Sequence, residues 1–333
     1  MSIDSSTLHD AEKWNGLVER SGKTTPFHRY EALEVIAEHS GTTLYPFVGY
    51  NGQEPIGLFP VFSLSRGPFR AAFSPPPELE ISYLGPALIE GQSGKQRKAE
   101  RRHRRFIEAV LGEIDEEIRP HYTHVRTGVE YDDPRPFLWN DYDPTPRYTY
   151  FVDLTPDVDD IFMSFSSDIR RNVRRAEEDY EFEIAEGDAA DAERIIRDVR
   201  KRHEEQGVSY NVTPAFARDL HRRLPEGTFR ATTFTSDGRF LGGQLTLEDE
   251  ETIYGWQTVA DLDAELPVTD ILDWEAFQRA KDRGIDRVDL VGANNPRLCS
   301  YKAKFNPTVR TYYSLESSSP VTDALKAVYK RMR

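Results

Sequence analysis

The sequence predicts an α/β chain built from two halves in tandem, each a mixed, mostly antiparallel sheet flanked by helices. Three observations lead there. Its 333 residues suit two domains of about 150 each. Apolar residues make up 38%, with 18 Phe and 16 Tyr, enough for two cores, which excludes a wholly disordered chain. The order of predicted elements in the first half also recurs in the second, displaced by about 170 positions. These readings place one domain over 1–145, a second over 146–316 and a terminal helix over 317–333.

In the first half, an apolar-periodic segment around Trp14, Leu17 and Val18 predicts a helix. A second runs from Tyr30 to Glu38 and packs Leu33, Ile36 and Ala37. LYPFVGY and EPIGLFPVFSL then flank Asn51-Gly52, a pair that tolerates positive φ and so predicts a hairpin. The Pro- and aromatic-rich AAFSPPPELEISYLGPALI reads as strand and loop. A long helix follows from Gln96 to Ile118, and then the strand HVRTGV. DDPRPFLWNDYDPTPR, residues 132–147, holds four prolines and reads as an ordered linker.

In the second half, helices are predicted over Asp157–Phe165, Asp168–Asp179, Ala189–Glu205 and Pro214–Leu224. Thr213 is the N-cap of the last and Pro214 its first residue. FRATTFT and FLGGQLTLE pair through Asp237-Gly238, and TIYGWQTVA adds a third strand. A helix from Thr269 to Arg283 ends at Gly284, and VDLVG returns as a strand. Each half thus reads helices, hairpin, strand, long helix, strand. A doubly wound sheet would require strict βαβ alternation, and neither GxGxxG nor a P-loop is present. Pro320 to Arg333 reads as a short basic helix docked on the body.

The net charge of −14 argues against generalised binding to nucleic acid or an anionic membrane, and no DNA partner is expected. One cysteine, Cys299, excludes an internal disulfide framework. It has no histidine near it in sequence to activate it as a nucleophile. The eight histidines show no HExxH spacing, so no metal site is expected. No apolar run is long enough to span a bilayer and no signal peptide is visible, so the expected compartment is cytoplasmic.

The segment Ser166-Ser167-Asp168-Ile169-Arg170-Arg171-Asn172-Val173-Arg174-Arg175-Ala176 carries the most chemistry. Ile169, Val173 and Ala176 share a core-facing stripe; Arg171, Arg174 and Arg175 share another face, with Arg170 beside them. Like charges so placed cost stability unless something anionic answers them. Either Glu177, Glu178 and Asp179 balance a solvated face, or a phosphate-bearing ligand meets the guanidiniums. A second basic run, Lys95 to Arg105, wraps all sides of its helix. It is either a solvated face against an acidic body or a contact for tRNA, a nucleotide-linked acceptor or an anionic headgroup.

The Ser-x-x-x-R-R-N-x-R-R-A helix start resembles the opening of the second domain in FemAB-like and BioF2-like acetyltransferases of the GNAT superfamily. Three other pieces agree in order: TPFHRYEALEVI with the LYPFVGYNGQEPIGLFPV hairpin, LPVTDILDWEAFQRAKDRGIDRVDLVGAN, and Tyr301-Lys302-Ala303-Lys304-Phe305-Asn306. The last resembles a Phe-Lys-x-x-Phe-Gly closing motif, with Tyr301 in place of Phe and Asn306 in place of Gly. The resemblance spans residues 25–315. It implies two tandem GNAT-like domains and a donor gripped by a splayed strand and the N-terminus of the following helix, here Val268 and Thr269. Asp270 at that helix start weakens the case for phosphate there. Gly242 and Gly243 permit close backbone approach or a bulge.

The implied reaction is acyl transfer from an acyl-CoA-type thioester to an amine. No cofactor is tightly bound, and small-molecule donor and acceptor are the partners. The absence of an extended helical arm sets aminoacyl-tRNA second as donor, and a non-catalytic ligand-binding scaffold third. Lys302 would hold donor phosphate or stabilise developing negative charge. Tyr254 would donate to the oxyanion or leaving group, and Asp289 would act as base or orienter; structural roles for both remain open. Arg170, Arg171, Arg174 and Arg175 would meet the donor's phosphates.

Overall fold

A computed structural model describes residues 3–89 and 95–318. The chain divides into two compact units. One comprises the chain up to Arg147 and again from Thr311 onward; the other is Tyr148–Arg310.

The first unit contains β1 (Asp4–Thr7), α1 (Ala11–Ser21), α2 (Tyr30–Ser40), β2 (Thr43–Asn51), β3 (Glu54–Arg66), β4 (Phe69–Ser74) and β5 (Ala87–Leu88). It continues with α3 (Gln96–Glu113) and a π turn at Ile114–Ile118, then β6 (Tyr122–Arg126) and α4 (Arg135–Leu138). β1 to β4 pair antiparallel in sequence order, β6 joins β4 in parallel, and β5 pairs with β3. β2 and β3 turn at Asn51-Gly52, where Gly52 has φ +66° as the hairpin requires. Phe106 of α3 is fully buried against Phe47, Phe59 and Val61 of this sheet. It fits because Gly57 has no side chain. A Cβ there would lie 2.7 Å and 2.8 Å from the Phe106 ring and 3.1 Å from the Ala87 carbonyl.

The second unit begins within β7 (Asp143–Asp153). It contains α5 (Val158–Ser164), α6 (Ser167–Asp179), β8 (Glu183–Gly187), α7 (Ala189–Glu205), α8 (Pro214–Arg223), β9 (Phe229–Ser236), β10 (Arg239–Glu248) and β11 (Thr252–Ala260). α9 (Val268–Asp282), β12 (Arg287–Asp289) and α10 (Pro296–Lys302) complete it. Its strands lie in the order β7-β12-β11-β10-β9-β8, with β11 and β12 the parallel pair. Thr213 caps α8 by accepting from the Phe216 N–H. The predicted periodicity of α6 holds: Ile169, Val173 and Ala176 are its buried residues. Ile169 and Val173 pack with Trp274 and Phe277 of α9 and with Phe305. The chain then returns as β13 (Thr308–Ser318), which pairs with β6 in the first unit.

Several elements differ from the sequence reading. The stretch 132–147 is not only linker: it forms α4 and the start of β7. VDLVG is strand only to Asp289, since Val291 has φ +46°, which no strand accommodates. The polar edge strands β1 and β8, and β13, carried no apolar run to announce them. The basic helix expected over Pro320 to Arg333 lies outside the described residues.

Gly57→Ala is expected to destabilise the first unit by about 1–3 kcal/mol, because Phe106 and the Ala87 carbonyl must give way together. Urea unfolding followed by tryptophan fluorescence reads this; an unshifted midpoint would show that the ring relocates freely.

Candidate functional site

The second unit's sheet opens along its parallel pair. β11 and β12 are in register only at Thr252–Arg287, Ile253–Val288 and Tyr254–Asp289. β11 runs on to Ala260, but the chain after Asp289 stays with β7: Leu290 donates to the Tyr150 carbonyl and Ala293 to that of Tyr148. Beyond Tyr254 the two strands therefore part, and the β11 edge from Gly255 onward has no β12 partner.

The loop after β12 is held in a costly shape. Val291 and Gly292 have φ of +46° and +84°, and a β-branched residue in that region is strained by about 1–3 kcal/mol. Three side chains hold it there. The Asp289 carboxyl accepts from the Val291 N–H at 2.8 Å and from the Thr149 hydroxyl at 2.6 Å. Thr149 Oγ1 in turn accepts from the Gly292 N–H at 3.0 Å. Lys302 Nζ donates to the carbonyls of Val291 at 2.6 Å and Gly292 at 3.1 Å. Asp289 is wholly buried, and that burial pushes its pKa up to about 8, although Lys302 and the Val291 amide oppose the shift. Burial lowers the Lys302 pKa from its ordinary value, while Asp273, Asp289 and Cys299 pull the other way.

α9 begins after Pro267 without a side-chain cap. The N–H of Val268 donates to Leu266 at 2.9 Å and that of Ile271 to Pro267 at 3.2 Å; those of Thr269 and Asp270 have no backbone acceptor among the described contacts. Val268 is buried over β10, where Gly242 leaves it room: a Cβ on that glycine would lie 2.8 Å from a Val268 methyl. Asp270 turns inward instead of capping. It accepts from Asn172 of α6 at 2.8 Å and from the Tyr301 hydroxyl at 3.1 Å. The Asn172 contact sets the middle of α6 against the first turn of α9.

The four α6 arginines do not form one cluster. Arg170 reaches the Met163 sulfur at 3.4 Å, and Arg174 lies 5.3 Å above the Phe162 ring. Arg175 pairs with Asp179 at 3.4 Å. Arg171, beside Asn172, is exposed and has no partner among the described contacts. Nor does Lys302 join them: its ammonium faces the backbone of the β12–α10 loop. Tyr254 also has another partner, since its hydroxyl donates to Asp249 at 3.1 Å, and burial beside that carboxylate pushes its pKa well above the ordinary value. Asp249 also accepts from the Glu251 and Thr252 N–H groups, so Tyr254 tethers the turn that opens β11. Cys299 is a half-buried free thiol next to the Tyr150 hydroxyl. In the first unit, part of the basic run is already answered: Arg102 meets Glu54 at 3.5 Å, Arg104 meets Glu108 at 3.4 Å, and His103 is buried on Tyr131.

Sequence reasoning missed Thr149, Gln244 and Asp273, and named Asp270 only as an acid at the helix start, not as one of a buried pair. The acids were visible as two carboxylates three residues apart inside the apolar run of α9. Thr149 and Gln244 are neutral strand residues with nothing in the pattern to mark them.

A mixed sheet whose parallel strands part ahead of a helix N-terminus is the arrangement that the resemblance to the GNAT superfamily implies. Residues 163–303 match the family described as acetyltransferase (GNAT) domain. Among solved structures, the chain is similar to FemX, with 11% identity, 94% of this chain and 97% of that one covered, and a TM-score of 0.72. The structure of L-PGS from Bacillus licheniformis gives 14% identity, 95% and 96% covered, and 0.57. A tandem GNAT protein from the clavulanic acid biosynthesis pathway gives 13% identity, 96% and 99% covered, and 0.53. At these identities the likeness is one of fold, and the fold is that of tandem GNAT proteins. No curated protein matches the chain. Among the described residues no helix is long and apolar enough to cross a membrane, and no group of three or more His, Cys, Asp or Glu could hold a metal ion.

Because Asp289 binds its proton more tightly in the folded chain than in the unfolded one, folding takes up a proton between pH about 4 and about 8, and stability falls as pH rises through that window. Asp289→Asn mimics the protonated form. Between about pH 5 and about pH 8 the wild-type chain should lose stability in urea relative to Asp289→Asn, and the difference should level off above that. Parallel curves for the two proteins would mean that Asp289 does not titrate there.

Proposed function

We propose that the second unit transfers an acyl group from an acyl-CoA-type thioester to an amine, with the donor seated where β11 and β12 part. That divergence carries the reading. It leaves the β11 edge from Gly255 with backbone groups free to pair with an extended amide-bearing arm, as an added strand would. At the far end of the same strand, the free N–H groups of Thr269 and Asp270 begin α9, and Arg171 projects from the helix docked on that turn. Together they offer dipole and charge to a pyrophosphate. The inward-turned Asp270 partly offsets this, so Arg171 carries more of the anion binding than the other three arginines.

Direct transfer asks little covalent chemistry of the protein. The amine nitrogen bonds to the acyl carbon, the C–S bond breaks with its electron pair on sulfur, and the amine proton must be taken up. Lys302 spends two of its three N–H bonds on the Val291 and Gly292 carbonyls, and the third is available to an oxyanion formed beside that loop. Asp289 acts as orienter in this reading. A buried carboxyl with a pKa of about 8 is mostly protonated at neutral pH and already accepts two hydrogen bonds that fix the loop.

Aminoacyl-tRNA as donor is the second reading. The helices of the second unit do not favour it, because α7 and α8 lie on the sheet instead of projecting as an arm.

Turnover of acetyl-CoA with a panel of primary amines, followed as released thiol, tests the reaction. RNA that co-purifies and is removed by RNase, with no thioester turnover, would transfer the reading to tRNA. Arg171→Ala should weaken binding of CoA about 10- to 100-fold in calorimetry, the cost of one charge-assisted contact to phosphate. Unchanged affinity would remove α6 from the donor site.

A further inference from the structure

Tyr301 stands where the family resemblance leads one to expect phenylalanine, and its hydroxyl has a use of its own. The ring packs edge-on against Phe305 at 5.6 Å, a contact phenylalanine would make equally well. The hydroxyl reaches beyond it to two acids on α9, 2.9 Å from Asp273 Oδ2 and 3.1 Å from Asp270 Oδ1. A single hydroxyl proton cannot serve both oxygens at once. The other two donors are already placed: Asn172 Nδ2 on Asp270 Oδ2 at 2.8 Å and Gln244 Nε2 on Asp273 Oδ1 at 2.8 Å. With both acids ionised the cluster is one proton short. Gln244 Oε1, on a residue only 3% exposed, accepts no hydrogen bond at all.

The acids are each 8% exposed while Tyr301 is half-buried, so among the proton-exchanging members of the cluster the tyrosine is the most exposed residue. It also immediately precedes Lys302, which holds the loop bordering the opened sheet. Resting on the acyl-transfer reading above, we propose that Tyr301 accepts the proton of the acceptor nitrogen and passes its own to the Asp270–Asp273 pair. As the new C–N bond forms, the N–H bond breaks with its electron pair left on nitrogen. A new O–H forms on Tyr301, and the former hydroxyl proton moves to Asp273. Returned along the same path, that proton neutralises the departing thiolate, and the cycle closes without another reactant.

The charged groups acting on Asp273 are Asp270, which favours its protonated form, and Lys302, which opposes it. Tyr301 is the one other titratable group on it; α6, β10 and β11 contribute the neutral Asn172, Gln244 and Thr258. Burial dominates, and the pKa of Asp273 is raised to about 6, in the range a general base needs at neutral pH.

The test is the pH dependence of kcat for acetyl-CoA with the fastest primary amine of the panel. In the wild-type chain kcat should rise with pH through about 6 and then level off. Asp273→Asn and Tyr301→Phe should each lower kcat about 10²- to 10⁴-fold and abolish that limb, with CoA affinity and thermal midpoint close to wild type. Variants that retain the limb, or that lose CoA affinity in step with kcat, would reduce the cluster to a packing device and overturn the relay alone. A wild-type chain that turns over no amine would remove the acyl-transfer reading itself, and the relay with it.

Discussion

The parting of β11 from β12 depends on a loop that would not keep its shape unaided. Val291 occupies the left-handed region, where its branched Cβ is strained, and Gly292 follows it there. Asp289 holds the Val291 N–H and Lys302 holds its carbonyl, so one residue is gripped on both sides of its Cα. Thr149, on the neighbouring strand, ties the same carboxyl to the next peptide. While that grip holds, the chain after Asp289 follows β7, and the β11 edge stays open. Strain of this kind persists only where the surroundings over-determine it, and this loop has four side-chain hydrogen bonds on two residues, with the Asp289–Thr149 bond joining them.

The same grip explains how the closing motif works. Tyr301, Lys302, Lys304 and Phe305 each face a different neighbour. Tyr301 goes to the α9 acids, Lys302 to the loop, Lys304 to Asp168 at 2.5 Å, and Phe305 to the core with Phe165 and Phe277. The Lys304 carbonyl also accepts from the Ser166 N–H at 2.8 Å, next to the start of α6. Two sequence motifs more than a hundred residues apart are thus one structural unit. Their co-occurrence in the chain has a physical basis, since neither α6 nor α10 is long enough to hold its place without the other.

What could be read from the sequence followed from periodicity and turn chemistry. The hairpins at Asn51-Gly52 and Asp237-Gly238, the Thr213 cap and the buried stripe of α6 were all legible because each is a local pattern with a local cause. The placement of charged side chains was not. Lys302 sits on carbonyls of the β12–α10 loop because the strained loop leaves them unpaired, and no pattern in residues 288–292 announces positive φ at a valine. Tyr254 was expected at the opening because it lies on the right strand, but its hydroxyl reaches Asp249 at the strand's start. The arginines of α6 were correctly placed on one helix, yet Met163, Phe162 and Asp179 divide them.

Three buried acids of the second unit show how environment separates roles that composition cannot. Glu248 is surrounded by Arg230 and Arg279 on Oε1 and Arg283 on Oε2, and Oε1 also accepts from the Thr246 hydroxyl at 2.8 Å. A carboxylate so paired is a structural tie that joins β10 to α9 and β9. Asp289 has one lysine nearby and two neutral donors on a single oxygen, so burial dominates and it behaves as a neutral hydrogen-bonding group. Asp273 faces a second carboxylate, and a phenol shared with it is all that separates the two. Two like charges that close, out of water, favour taking up one proton between them. Only the third arrangement gains and loses a proton near neutral pH at little structural cost, because the phenol can turn from one acid to the other without breaking the packing of its ring. An acid fixed by arginines or spent on a strained peptide could not move a proton without disturbing the fold.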